Sequence, residues 1–184
     1  MEPRMEKYQL TREEILGVID RAECAVVCTN NDDGYPYGTP VNMVRIGERL
    51  YFHGRSRGTR TSNILRDPRC SVTFTEELGY DCAGDCACDT ETLFRSVIVF
   101  GRMSVVEDEA SKREVLSALT EKLIPGRTAD GMPPDRIERT GVYEIVIESM
   151  TGKYRNASPD GVFHGPRTLS KQRILLSLDG TVCR

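Results

Sequence analysis

The sequence predicts a mainly β protein: a closed antiparallel barrel of six strands with helices on its flanks. Three observations carry this. Six segments, at residues 25–29, 35–46, 50–54, 70–76, 96–107 and 142–155, alternate or run apolar at strand spacing. Two or three helical segments interrupt them without the strand–helix–strand alternation of a doubly wound fold. The fifth segment is apolar without a break over half its length, the pattern of a strand covered on both faces. Such a strand lies inside a barrel wall or under a partner chain.

Each element has a local cause. Thr11 with Glu14 three residues later forms a capping box, and the helix it opens buries Ile15, Val18, Ile19 and Ala22 at helical spacing. The turn after the first strand, Asn30 to Gly34, is rich in residues that tolerate left-handed backbone angles. Strand 35–46, bent near Gly38, and strand 50–54 form a hairpin across a tight Gly47-Glu48-Arg49 turn. A short helix over 59–65 stops at Asp67-Pro68. After strand 70–76 comes a cysteine-rich loop over 78–89, and after strand 96–107 a helix over 109–124 with Val115, Leu116, Leu119 and Leu123 on one side. Pro125, Pro133 and Pro134 punctuate a loop. In the last strand Tyr143, Ile145 and Ile147 face one way, Glu144 and Glu148 the other. Residues 1–156 are expected to form the barrel domain. The tail, 157–184, is irregular apart from the apolar run 174–178, and is expected to pack on the barrel or on a partner subunit.

A length of 184 residues gives one domain with a full core. A net charge of -3 argues against nucleic acid or a membrane surface as partner. No apolar run approaches the roughly 20 residues that span a bilayer, and the chain begins MEPRMEKYQL, charged where an export signal is apolar. A cytoplasmic location is expected. Of the seven cysteines, Cys24 and Cys28 are expected to pack as small hydrophobes in a buried first strand. The Cys82, Cys86 and Cys88 cluster has Cys-x3-Cys-x-Cys spacing, unlike the paired Cys-x2-Cys of common zinc sites, and no histidine is near it in sequence. No metal is expected there.

The segment from Tyr35 to Arg60 carries the chemistry. Its second strand runs into Arg55, Ser56, Arg57, Thr59 and Arg60 gathered around Gly58 at a helix start. Guanidinium and hydroxyl donors at a glycine-opened helix N-terminus suit a phosphate. The preceding strands offer a flat surface with Asn42 beside Pro40. A ring system with a phosphate tail, such as a flavin nucleotide, fits both halves. The plain alternatives are a solvated basic turn and a satisfied strand amide. His53, among Tyr51 and Phe52, fits either a packed histidine or a ligand contact. His164 reads as an exposed tail histidine, although a haem protein would use such a residue as axial ligand. No Ser-His-Asp or Cys-His arrangement and no paired carboxylates stand out, so no catalytic acid or base is assigned.

The stretches YPYGTPVNMV, LYFHG with its following GTRTSNILRDPR, FRSVIVFGRMSVVED and ESMTGKYR resemble the pyridoxamine 5'-phosphate oxidase-like, FMN-binding split-barrel family. The resemblance covers roughly residues 8 to 156 and is greatest to the nitroimidazole-resistance (Nim-type) reductase branch. It implies a six-stranded split barrel that dimerises, with FMN in grooves between subunits. Pro40, Val41, Asn42 and Met43 match the strand along the isoalloxazine ring, and His53 and Gly54 the end of its neighbour. Arg55 belongs to the basic loop. Ser56 and Arg60 match phosphate-contacting positions, where this branch more often has Lys. Phe94, Arg95 and Ser96 would approach the flavin from the partner. In loop 78–89 only Cys88 matches a family position.

The resemblance implies an FMN-dependent oxidoreductase that takes electrons from a nicotinamide or other small donor. It would pass them to a small acceptor such as a nitroaromatic compound. The alternatives are a non-enzymatic flavin- or haem-binding sensor on the same barrel and a deazaflavin-dependent reductase. True pyridoxamine 5'-phosphate oxidation is not expected, since the basic tail residues Arg167, Lys171 and Arg173 sit in no recognisable motif.

Overall fold

The computed structural model describes residues 6–82 and 86–156, and the backbone of 162–164. Its elements are α1 (Arg12–Arg21), β1 (Cys24–Asn30), β2 (Pro36–Ile46), β3 (Arg49–Arg55), α2 (Thr59–Arg66) and β4 (Arg69–Cys82). There follow β5 (Thr90–Val105), α3 (Glu109–Leu123), α4 (Pro134–Arg139), β6 (Thr140–Arg155) and β7 (Val162–His164). Two compact units are present: residues 1–76 with 94–155, and residues 77–93 with 156–184.

In the first unit six strands close on themselves. The order is β1-β2-β3-β6-β5-β4, and β1 also pairs with β4 through Val26↔Thr73 and Cys28↔Ser71. Closure removes the open edges that an antiparallel sheet must otherwise protect. The expected mainly β barrel with flanking helices is therefore what the chain forms, with α4 as a helix that the proline-punctuated segment did not announce. Pro133 caps it and Pro134 opens it, a position where a missing N–H costs nothing.

The barrel interior is filled from alternate strand positions. Val27, Phe52, Phe74, Val97, Val99 and Ile145 are completely buried. The capping box on α1 forms as expected, with Thr11 Oγ1 accepting from Glu14 N at 3.3 Å and Glu14 Oε2 accepting from Thr11 N at 2.8 Å. That start aims Ile15, Val18 and Ile19 into the barrel core. A second cluster, with Leu116, Leu119, Ile137 and Val142, lies between α3, α4 and β6. No helix among the described residues is long and apolar enough to cross a membrane.

Two expectations change. Cys24 and Cys28 are not core residues: Cys24 is exposed and Cys28 half-buried, because Ala25, Val27 and Thr29 take the inward positions of β1. The inward cysteine is Cys70, which donates to Gly101 O at 3.5 Å and whose thiol burial pushes up to about 12. It is a packing group rather than a nucleophile. Secondly, β5 is not buried on both faces within one chain. Val97 and Val99 point inward, while Ile98 is 39% and Phe100 53% exposed. The tail residues Arg167, Lys171 and Arg173 and the apolar run 174–178 lie outside the described residues. The backbone of β7 pairs antiparallel with β4 through Tyr80↔His164 and Cys82↔Val162.

The β5–β6 ladder skips one residue between Phe100/Ser149 and Gly101/Ile147, so Glu148 is the extra residue of a bulge. A Cβ on Gly101 would strike Val146 O and meet Ile145 Cγ2 at 2.9 Å. Gly101→Ala is expected to destabilise the fold by about 1–3 kcal/mol, read as a lower urea midpoint with unchanged slope.

Candidate functional site

Strand β2 reaches the site through a hairpin whose two-residue turn places Gly47 at φ 60, a left-handed angle that favours glycine. Along β2, Met43 is buried in the core and Val41 packs against it, while Pro40 and Asn42 face outward. Only these two of the four predicted β2 residues present a side chain outside the barrel. Asn42 Nδ2 donates to Glu23 O at 2.8 Å, tying the strand to the α1–β1 junction. The Met43 carbonyl accepts from Lys122 Nζ at 2.8 Å, and that amine also donates to Ile19 O at 3.3 Å. Burial lowers the Lys122 pKa. Strand β2 is therefore pinned from both α1 and α3.

At the far end of β3 the backbones cross closely. Gly54 pairs with Gly141 on β6, and a Cβ at Gly141 would meet Ser56 N and Cα at 2.9 Å. A Cβ at Gly54 would collide with the Arg60 guanidinium, so glycine makes room for that group. Arg60 Cζ lies 4.8 Å from the Phe52 ring centroid and 4.9 Å from that of Tyr143, and these rings stack at 5.0 Å and 14°. Arg60 Nη1 donates to Thr39 Oγ1 at 3.4 Å, while its buried Nε has no partner. Tyr143 Oη donates to Arg55 O at 2.5 Å and lies 2.7 Å from Thr61 Oγ1, joining both sides of the basic segment.

Gly58, at φ 131, precedes α2, and no side chain caps the helix. Its first N–H groups are left without a side-chain cap, and Arg55, Arg57 and Arg60 flank them in sequence. Arg55, Ser56 and Arg57 are exposed. Among the described residues no carboxylate pairs with Arg55, Arg57 or Arg60, whereas Arg12, Arg21, Arg45, Arg49 and Arg69 each have one. An orphaned donor and three cations lacking carboxylate partners fit an anionic group such as a phosphate.

The remaining predicted residues lie elsewhere. His53 is exposed on the outer face of β3 and lines a cavity of about 420 Å³ with Leu116, Leu119, Ile124 and Met132. Phe94, Arg95 and Ser96 are half-buried on β5. Lys153 Nζ sits 5.6 Å above the Phe94 ring, and Arg95 Nη1 is 3.5 Å from Glu76 Oε2. Ser96 lines a cavity of about 300 Å³ with Ile15, Ile98 and Met150. Ser96 pairs with Lys153 and Gly54 with Gly141, positions on β6 separated by roughly 40 Å of strand path at about 3.3 Å per residue. One chain thus places the two halves of the predicted site at opposite ends of β6. The sequence reading missed Tyr143, Thr61, Thr39 and Gly141, whose only sequence signal is a Gly-Val-Tyr run opening the last strand.

A six-stranded antiparallel sheet closing in a ring, with flanking helices, is consistent with a split barrel. The pyridoxamine 5'-phosphate oxidase family profile matches residues 11–154, and the chain belongs to that family. Three solved structures share the fold. One is a candidate 5-nitroimidazole antibiotic resistance protein from Bacteroides thetaiotaomicron (TM-score 0.70, 21% identity, 79% of this chain and 86% of that one). Another is the flavocytochrome Anf3 from Azotobacter vinelandii (0.75, 22%, 100% and 92%). The third is an FAD and haem binding protein from Mycobacterium smegmatis (0.72, 23%, 89% and 90%). No curated protein matches the chain.

Tyr143→Phe removes the hydroxyl that bridges Arg55 and Thr61. It is expected to cost about 1–3 kcal/mol and to speed amide hydrogen exchange across residues 55–61 without unfolding the barrel.

Proposed function

We propose that this protein is a flavin-dependent oxidoreductase of small molecules, binding FMN between two copies of the chain. The observation that carries this reading is the Arg55–Arg60 segment, whose three guanidiniums have no carboxylate partner among the described residues, at an uncapped helix start. Arg60, backed by Phe52 and Tyr143, and Arg55 with Ser56 would hold the phosphate. Pro40 and Asn42 on the outer face of β2 would back the ring. When bound, the flavin supplies the electron transfer between a small donor, such as a nicotinamide, and a small acceptor, such as a nitroaromatic compound. The chain binds and orients it, and no side chain is assigned as acid or base.

Phe94, Arg95 and Ser96 enter this site from the second copy, since their own chain keeps them far along β6 from Arg60. The outward Val26, Ile98 and Phe100 would be covered by that copy; they are 40%, 39% and 53% exposed in the single chain. Unpaired thiols among the described residues suit a cytoplasmic setting.

Purified protein incubated with FMN should gain visible flavin absorbance. Anaerobic NADH and NADPH titrations should then bleach it. A protein that stays colourless with FMN and FAD rules the reading out. FAD released on denaturation would replace FMN within it, and a Soret band would favour the haem-binding alternative. Arg60→Ala is expected to weaken FMN binding on the order of tenfold to a hundredfold, the worth of a charged hydrogen bond. Phe100→Glu should convert dimers to monomers in light scattering and lose flavin together with them.

A further inference from the structure

Between β4 and β5 a single 3₁₀ turn, Ala87–Asp89, gathers donor atoms that the sequence spacing did not suggest. The turn closes in both directions: Asp89 N donates to Cys86 O at 2.9 Å, and Cys86 N donates to Asp89 Oδ2 at 3.2 Å. This doubled closure folds the Cys-x-Cys spacing back on itself. Cys88 Sγ donates to Cys86 Sγ at 2.9 Å and lies 3.8 Å from Asp89 Oδ1. The two sulfurs and a carboxylate oxygen all lie within 4.8 Å of one another. Both cysteines are exposed and Asp89 is half-buried, so all three are open to solvent on one side.

We propose that Cys86, Cys88 and Asp89 form a binding site for a thiophilic divalent cation of the zinc class. Two sulfurs select a soft or borderline ion over magnesium or calcium, which prefer oxygen. A tetrahedral zinc ion with bonds of about 2.3 Å to sulfur would hold the sulfurs about 3.8 Å apart. That is a small opening from 2.9 Å, made by two exposed side chains with no packing to oppose it. Binding replaces the thiol protons, which leave to solvent. Three protein ligands leave a fourth position for water or a small ligand.

The test uses the full chain, metal-stripped and kept reduced with a phosphine. It is titrated with Co²⁺ while thiolate-to-cobalt absorbance is followed, then with Zn²⁺ in competition with a chromophoric chelator. One ion per chain is expected. Cys86→Ser and Cys88→Ser should each abolish the cobalt band. Cys24→Ser, an exposed thiol on β1, should leave it unchanged. Asp89→Asn should weaken binding by at least roughly tenfold, the lower end of what second-shell changes cost. Circular dichroism of each variant confirms that the fold is kept. No binding to the reduced protein overturns the proposal, as does stoichiometric binding retained in the Cys86→Ser/Cys88→Ser double variant. A phosphine-resistant disulfide between Cys86 and Cys88 also overturns it.

Discussion

The burial of Tyr143 against Phe52 is the contact on which the rest of the candidate site depends. Both rings are completely buried and stacked, so they belong to the barrel core as fully as Val97 or Ile145 do. Yet the outer side of the same stack meets the Arg60 guanidinium, and the Tyr143 hydroxyl binds the Arg55 carbonyl and Thr61. A cation against an aromatic face is stabilised by the ring quadrupole, more so where water is excluded. The barrel therefore sets the position of a positive charge through its packing. The segment between Arg55 and Thr61 inherits the rigidity of the core, which a surface loop of the same composition would lack.

The same geometry separates the two sets of predicted site residues within one chain. A 16-residue strand, β6, runs through the sheet with Gly141 at the Arg60 end and Lys153 at the Ser96 end. The two ends are twelve residues apart along the strand. Closing the barrel satisfies the backbone of all six strands but leaves the outward residues of β1 and β5 apolar at Val26, Ile98 and Phe100. An exposed apolar face of this kind is covered by a partner more often than it is left to water, and here a second copy would also bring the distant half of the site.

Much of the fold was legible because its signals are local. The capping box at Thr11, the turn opening at Gly47 and the stop at Asp67-Pro68 are each written within a few residues; each forms where expected, except that Arg49 joins the strand rather than the turn. The face of β1 was misjudged because Ala, Val and Cys are all acceptable in a core, so the pattern alone did not reveal which alternate set points inward. Helix α4 was hidden by prolines that break helices in their interiors but open them at the first position. The thiol cluster was discounted on spacing, and only the turn at Ala87 brings its sulfurs together.

The sequence by itself determined the six barrel strands, three of the four helices, the basic glycine-opened helix start and the family to which the chain belongs. These rest on periodicity, turn chemistry and motif order, all carried by neighbouring residues. Only the tertiary structure decided that Arg60 stands on the Phe52–Tyr143 stack, that Met43 is core while Pro40 and Asn42 face outward, and that Ser96 lies far from Arg60. Those facts depend on pairings between residues distant in the chain, such as Thr61 with Tyr143 and Gly54 with Gly141. Barrel closure fixes such pairings, and no local pattern encodes them.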